Sequence, residues 1–207
     1  MAYSDVLRQK LTARLGARRL TFMKDWQKNY TGSWKPNGKP VGILLHHTAG
    51  AATESTSPQN PGNQKGANNG VINYIQNHYR VPAANFTLDR DGTIYVHAAY
   101  PIWHAGLGSF AGKEPWSTLG IPKDEGNRYL LGVEIMSKGQ KKDFTAAQKQ
   151  SLALLIQACS ETVSPDNWKP LWLKNRPRHK DWTDRKIDIL YSNDEVKTWI
   201  ESWGNGA

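Results

Sequence analysis

Residues 41–48, Val-Gly-Ile-Leu-Leu-His-His-Thr, form a short apolar run with branched side chains that reads as a buried strand ending in two histidines. Successive side chains on a strand point to opposite faces, so His46 and His47 cannot both enter one site. The pair supplies at most one ligand. A lone histidine at a strand end is also commonly structural, so partners must be sought elsewhere in the chain.

Downstream of this strand, residues 50–69 are rich in Ala, Ser, Thr, Pro, Gly and Asn and predict a long surface loop bordering a groove, followed by a helix over Val71–Tyr79. Asn85–Ala98, NFTLDRDGTIYVHA, holds two strand-like runs around Arg90-Asp91-Gly92-Thr93, a hairpin signal. Leu130–Met136, LLGVEIM, is a second apolar strand, and it carries one acid, Glu134. An unpartnered carboxylate in such a strand is costly unless a metal-bound water or a lysine accounts for it. Thr145–Val163 predicts a helix with Leu152, Leu155, Ile156, Cys159 and Val163 on one face, where Cys159 reads as core. Asn193–Trp203 predicts a last helix with Val196, Trp199, Ile200 and Trp203 as its apolar stripe.

Upstream, Val6, Leu7, Leu11 and Leu15 recur at helical spacing among Arg8, Lys10, Arg14, Arg18 and Arg19. This basic helix reads either as an attachment segment for wall or membrane or, preferably, as a helix packed on the domain with a solvated basic face. The turn-rich stretch Thr31–Pro40 then divides the chain into a basic arm and linker, 1–40, and a catalytic domain, 41–207.

Composition narrows the chemistry. The net charge of +9 is concentrated at the start: nine Lys/Arg against two Asp in residues 1–40 give +7, leaving +2 for the rest. A near-neutral remainder argues against a nucleic-acid-binding domain. No apolar run has membrane-spanning length, so no stable membrane insertion is expected, and the start does not resemble a secretory signal, so a soluble protein made in a cytoplasm is expected. The single cysteine excludes an internal disulfide and any site needing several thiolates; metal ligands must be His and carboxylate. Residues 178–188, RHKDWTDRKID, pack one histidine, three acids and four bases into a stretch without regular period. A catalytic zinc takes three protein ligands and keeps a fourth position open, and His46, His179 and one of Asp181, Asp184 or Asp188 would meet that need. Spacing does not choose among the three acids.

Five blocks in order resemble the zinc N-acetylmuramoyl-L-alanine amidases that share a fold with peptidoglycan recognition proteins and many phage endolysins. ILLHHTAG at 43–50 is similar to the family's first-ligand strand, NFTLDRDGTIY at 85–95 to its hairpin and WHAG at 103–106 to its substrate-side loop. LGVEI at 131–135 is similar to its acid-bearing strand, and HKDWTDRKID at 179–188 to its closing ligand loop. The wording of residues 182–186 is most similar to lysins of phages that infect actinobacteria. The resemblance implies an α/β fold: a single domain with a central mixed sheet flanked by helices, plus the basic N-terminal arm. It implies zinc held by His46, His179 and Asp188, with Glu134 as general base and Lys186 stabilising developing negative charge. Trp103 and His104 would contact the substrate, and His47 would pack in the core. Two departures stand out. The segment 179–188 is one residue shorter than in some relatives, which leaves Asp184 as a rival ligand, and position 84 is Ala where several relatives carry a tyrosine near the metal. The implied role is that of a monomeric phage lysin acting on bacterial peptidoglycan, held in the host cytoplasm until lysis and then acting at the cell wall. A non-catalytic peptidoglycan-binding module and a zinc peptidase of the stem peptide are the alternatives.

Overall fold

The computed structural model describes residues 2–30, 40–48, 71–77, 81–163 and 176–204. Most of the linker, the loop expected at 50–69 and the last residues of the helix expected at 71–79 lie outside them. The order is α1 (Tyr3–Leu15), β1 (Leu20–Phe22), β2 (Gly42–His47), α2 (71–77), β3 (Phe86–Leu88), β4 (Ile94–Val96), α3 (Gly126–Tyr129), β5 (Leu130–Ile135), α4 (Ala146–Val163), α5 (His179–Trp182) and α6 (Asn193–Gly204).

The strands form one mixed sheet in the order β1-β4-β3-β5-β2. The expected hairpin is its antiparallel centre: β3 pairs with β4, and the turn closes through Asp89 N–H to Thr93 O at 2.8 Å. Gly92 in that turn has φ +87°, and a β carbon there would lie 3.0 Å from the Ala147 carbonyl of α4. Both the left-handed backbone and the close approach call for glycine. All other pairings are parallel, and β5 lies between β3 and β2.

Strand alternation sorts the two faces. Ile43 and Leu45 of β2 and Leu131, Val133 and Ile135 of β5 enter the main core with α1, α4 and α6. Their neighbours Leu44 and Leu130 face a smaller cluster built on Phe110, Trp116 and Trp182. His46, Gly132 and Glu134 continue that second face. Cys159 is fully buried in the main core, as its helical spacing indicated.

Residues 2–22 belong to the same body. Leu7 and Leu11 are completely buried against α4, and β1 adds a parallel edge strand beside β4. Part of the basic charge is engaged by the rest of the chain: Arg14 and Lys10 pair with Glu161 of α4, Arg19 donates to Gln150 at 3.0 Å, and Arg8 stacks 4.5 Å above the Phe22 ring. The helix is thus packed on the domain, the preferred of the two expectations.

Because these leucines fill the common core, Leu11→Ala is expected to lower the unfolding free energy of the whole chain by about 2–5 kcal/mol in a urea titration. An unchanged midpoint would show that α1 folds independently of the sheet.

Candidate functional site

The cleft follows from two pairings of β2. On one side β5 sets His46 directly opposite Glu134 in parallel register. On its free edge, the Leu45 N–H donates to the Pro177 carbonyl at 2.9 Å and Leu45 forms a bridge with Arg178, which delivers α5 and His179 beside His46. The segment then loops back, and the Lys180 N–H donates to the Asp188 carbonyl at 2.8 Å. Residues 133 positions apart in sequence are thereby brought together with a third ligand candidate between them.

His46, His179 and Asp188 are buried, at 2, 6 and 5 % exposure, and offer one donor atom each within a 4.8 Å span. His46 Nδ1 and His179 Nδ1 are 2.9 Å apart; Asp188 Oδ2 lies 3.8 Å from the first and 3.3 Å from the second. A tetrahedral zinc with bonds of about 2.0–2.1 Å has ligand-to-ligand edges of roughly 3.3 Å, which these three distances bracket. The ring partners imply the tautomers. His179 Nε2 donates to the Ala105 carbonyl at 3.1 Å, and His46 Nε2 donates to His104 Nδ1 at 3.1 Å. Each Nδ1 therefore presents a lone pair toward the Asp188 carboxylate. Three electron-pair donors converge, and a cation at their centre relieves their mutual repulsion. The residues present fit a zinc ion.

The other acids of the segment are engaged elsewhere. Asp181 caps α5 and takes the Arg178 side chain at 2.9 Å, while the Asp184 side chain is 90 % exposed and pairs with Lys113 at 2.8 Å. Of the three acids, Asp188 is the one whose carboxylate lies beside the two histidines.

Charge states follow from burial. Desolvation first, then the neighbouring His179 and His104, hold His46 well below the usual imidazole range. Burial, with Asp188 adding to it, pushes Glu134 up to about 7, against the opposing pull of Lys186. Glu134 Oε2 is buried without a hydrogen-bond partner among the described residues.

Two adjoining cavities of about 660 and 580 Å³ meet over this cluster and share His104, Glu134, His179, Arg185 and Lys186 in their walls. The larger runs toward Tyr74 and Trp103, 55 and 45 % exposed; the smaller runs toward Lys138, Gln140 and the exposed Ile187. Lys186 and Trp103 thus lie at the cleft, as expected. His104 differs. Its two ring nitrogens are engaged inside the protein, with His46 and with the Leu130 carbonyl, rather than presented to a substrate. His47 differs as well: it is half-buried against Gly139 and lines the smaller cavity instead of the core, because the strand ends there and its far face is no longer covered. Arg185, Tyr74 and Asn127 were not anticipated. Arg185 lies within the polar segment 178–188, whereas nothing in the local sequence marks Tyr74 or Asn127.

The Amidase_2 family, N-acetylmuramoyl-L-alanine amidase, matches residues 36–188 of the chain. Among solved structures the chain is similar to AmpD, at 19 % identity over 88 % of this chain and 93 % of that one, with a TM-score of 0.54. It is similar to the Ph2119 endolysin of the Thermus scotoductus MAT2119 bacteriophage Ph2119, at 17 % identity over 88 and 99 %, with a TM-score of 0.51. A mutant of Drosophila PGRP-LB in complex with tracheal cytotoxin matches at 14 % identity over 87 and 94 %, with a TM-score of 0.57. These likenesses establish the fold. No curated protein matches at the level of sequence.

The raised pKa of Glu134 sets a pH dependence. A folded-state value of about 7 above an ordinary 4.5 contributes stability below pH 4.5 that is lost as pH rises through 7. In metal-free protein, Glu134→Gln is therefore expected to match the wild type near pH 4 and to exceed it by up to about 3 kcal/mol above pH 7 in urea unfolding. Equal stabilities at both pH values would show that the carboxylate is well solvated.

Proposed function

The chain belongs to the N-acetylmuramoyl-L-alanine amidase family, and on that footing we propose that it hydrolyses the amide bond between N-acetylmuramic acid and L-alanine in bacterial peptidoglycan, with zinc as its cofactor. The observation that carries this reading is the convergence of His46 Nδ1, His179 Nδ1 and Asp188 Oδ2 beside Glu134, whose buried Oε2 has no hydrogen-bond partner among the described residues.

Zinc held by His46, His179 and Asp188 would lower the pKa of a bound water and polarise the carbonyl of the lactyl group. Glu134 takes a proton from the attacking water at Oε2; a carboxyl that titrates near 7 is matched to that task at neutral pH. Lys186, in the wall of both cavities, offers positive charge to the oxygen on which negative charge develops. Glu134 then returns its proton to the L-alanine nitrogen as the bond breaks. The aromatic arm of the groove, with Tyr74 and Trp103, supplies flat faces for a sugar or stem peptide. Residues 41–207 carry this machinery, and residues 1–40 supply a helix and strand that complete its core.

The likeness to a phage endolysin supports the further reading that the enzyme is a lysin, waiting in the host cytoplasm until the membrane opens and then acting on the wall as a monomer. No helix among the described residues is long and apolar enough to cross a membrane.

The test is digestion of purified peptidoglycan, starting with an actinobacterial wall, by wild type, His179→Ala and Glu134→Gln, with and without a chelator. New alanine N-termini are scored against new reducing ends. Wild type with zinc is expected to release N-terminal L-alanine, chelator and His179→Ala to abolish release, and Glu134→Gln to slow it about 10²- to 10⁴-fold. New N-termini of other residues would make the enzyme a peptidase, and binding without cleavage under every metal condition would make it a recognition module.

A further inference from the structure

The turn at residues 103–106 touches both histidines of the cluster. His104 Nε2 donates to the Leu130 carbonyl at 2.9 Å, so its neutral ring has Nδ1 as an acceptor, and that atom faces His46 Nε2 at 3.1 Å. The next residue offers its backbone: the Ala105 carbonyl accepts from His179 Nε2 at 3.1 Å. The backbone N–H groups of His104 and Ala105 both donate to one atom, Asn127 Oδ1, at 2.7 and 2.6 Å. The His104 ring is also seated on Gly132, where a β carbon would come within 2.4 Å of its Cγ. One dipeptide is therefore fixed by a carbonyl beneath its ring, a carboxamide behind its backbone and a glycine under its face.

We infer that His104 and Asn127 are positioning residues for the two histidines: His104 acts through its ring on His46, and Asn127 acts through the 104–105 backbone on both. The inference rests on the metal-centre reading above and assigns to this turn a task other than substrate contact. An imidazole whose Nε2 proton is spoken for must present Nδ1 as a lone pair, and its ring cannot rotate without breaking that bond. Remove the acceptor, and His46 can carry its proton on Nδ1, where it blocks the approach of a cation. Outer hydrogen bonds of this kind are typically worth 10- to 100-fold in metal affinity.

The experiment uses the full chain, stripped of metal, with two readouts: zinc affinity by competition against a chromogenic chelator, and histidine 15N NMR of the metal-free protein, which reports which ring nitrogen holds the proton. In wild type, His46 and His179 are expected to be protonated at Nε2. His104→Phe and Asn127→Ala are each expected to weaken zinc about 10- to 100-fold, and His104→Phe to turn the His46 signal into a mixture of tautomers. His104→Gln can accept from His46 and donate to Leu130, and is expected to restore most of the affinity. A folded His104→Phe with wild-type affinity and tautomers overturns the inference and leaves the metal centre standing. If that variant does not fold, Asn127→Ala decides on the same two readouts. A wild type that takes up no zinc overturns the metal-centre reading and this inference together.

Discussion

The parallel register of β2 with β5 is the constraint on which the cleft depends. It sets His46 opposite Glu134 and gives both strands the same alternation, so that one face of each enters the helical core while the other carries the polar groups. A slip of β2 by one residue against β5 would turn His46 into the core and bring Leu45 out to the cleft, away from Glu134. The large apolar area that α1, α4 and α6 lay over Ile43, Leu45, Leu131, Val133 and Ile135 is therefore also what aims the chemistry. Packing and function are enforced by the same alternation.

Placing three buried donors within a few ångströms of one another is unfavourable in itself, and the surrounding chain is arranged to hold them there. Leu45 draws in Pro177 and Arg178 on the free edge of β2, Lys180 ties back to Asp188, and the remaining acids of the segment are occupied by Arg178 and Lys113. These contacts divide a charge-rich stretch into one inward carboxylate and two outward ones. The buried Glu134 is a second cost of the same kind, since a carboxyl lifted to about 7 is one that the fold would hold more easily as neutral.

Much of this was legible in the residues. Short apolar runs marked β2 and β5, strand-like runs about a turn marked the hairpin, and period-3.6 stripes marked α1, α4 and α6, because burial writes itself into sequence in those patterns. His46, Glu134 and the polar density of residues 178–188 were visible as groups lacking a structural excuse. Spacing left Asp181, Asp184 and Asp188 equal and only the family resemblance singled out Asp188, since which carboxylate turns inward depends on which ones a lysine or arginine elsewhere in space captures. His104 and Asn127 were opaque for a related reason: a side chain that hydrogen-bonds another side chain from a distant loop leaves no local period. Gly132 is intermediate, a glycine inside a strand that hints at a close neighbour without naming it.

The histidines are held by a strand, a capped turn of helix and a clamped loop, which rest on the main core, the smaller Trp182 cluster and the Asn127 carboxamide, all contacts made within the chain itself. A small zinc-nucleated module loses its fold when the ion leaves. Here the proposed ion would meet a finished mould. On the proposed zinc reading, withdrawing the ion would leave the fold standing, so scarcity of zinc would silence the molecule without marking it for proteolysis.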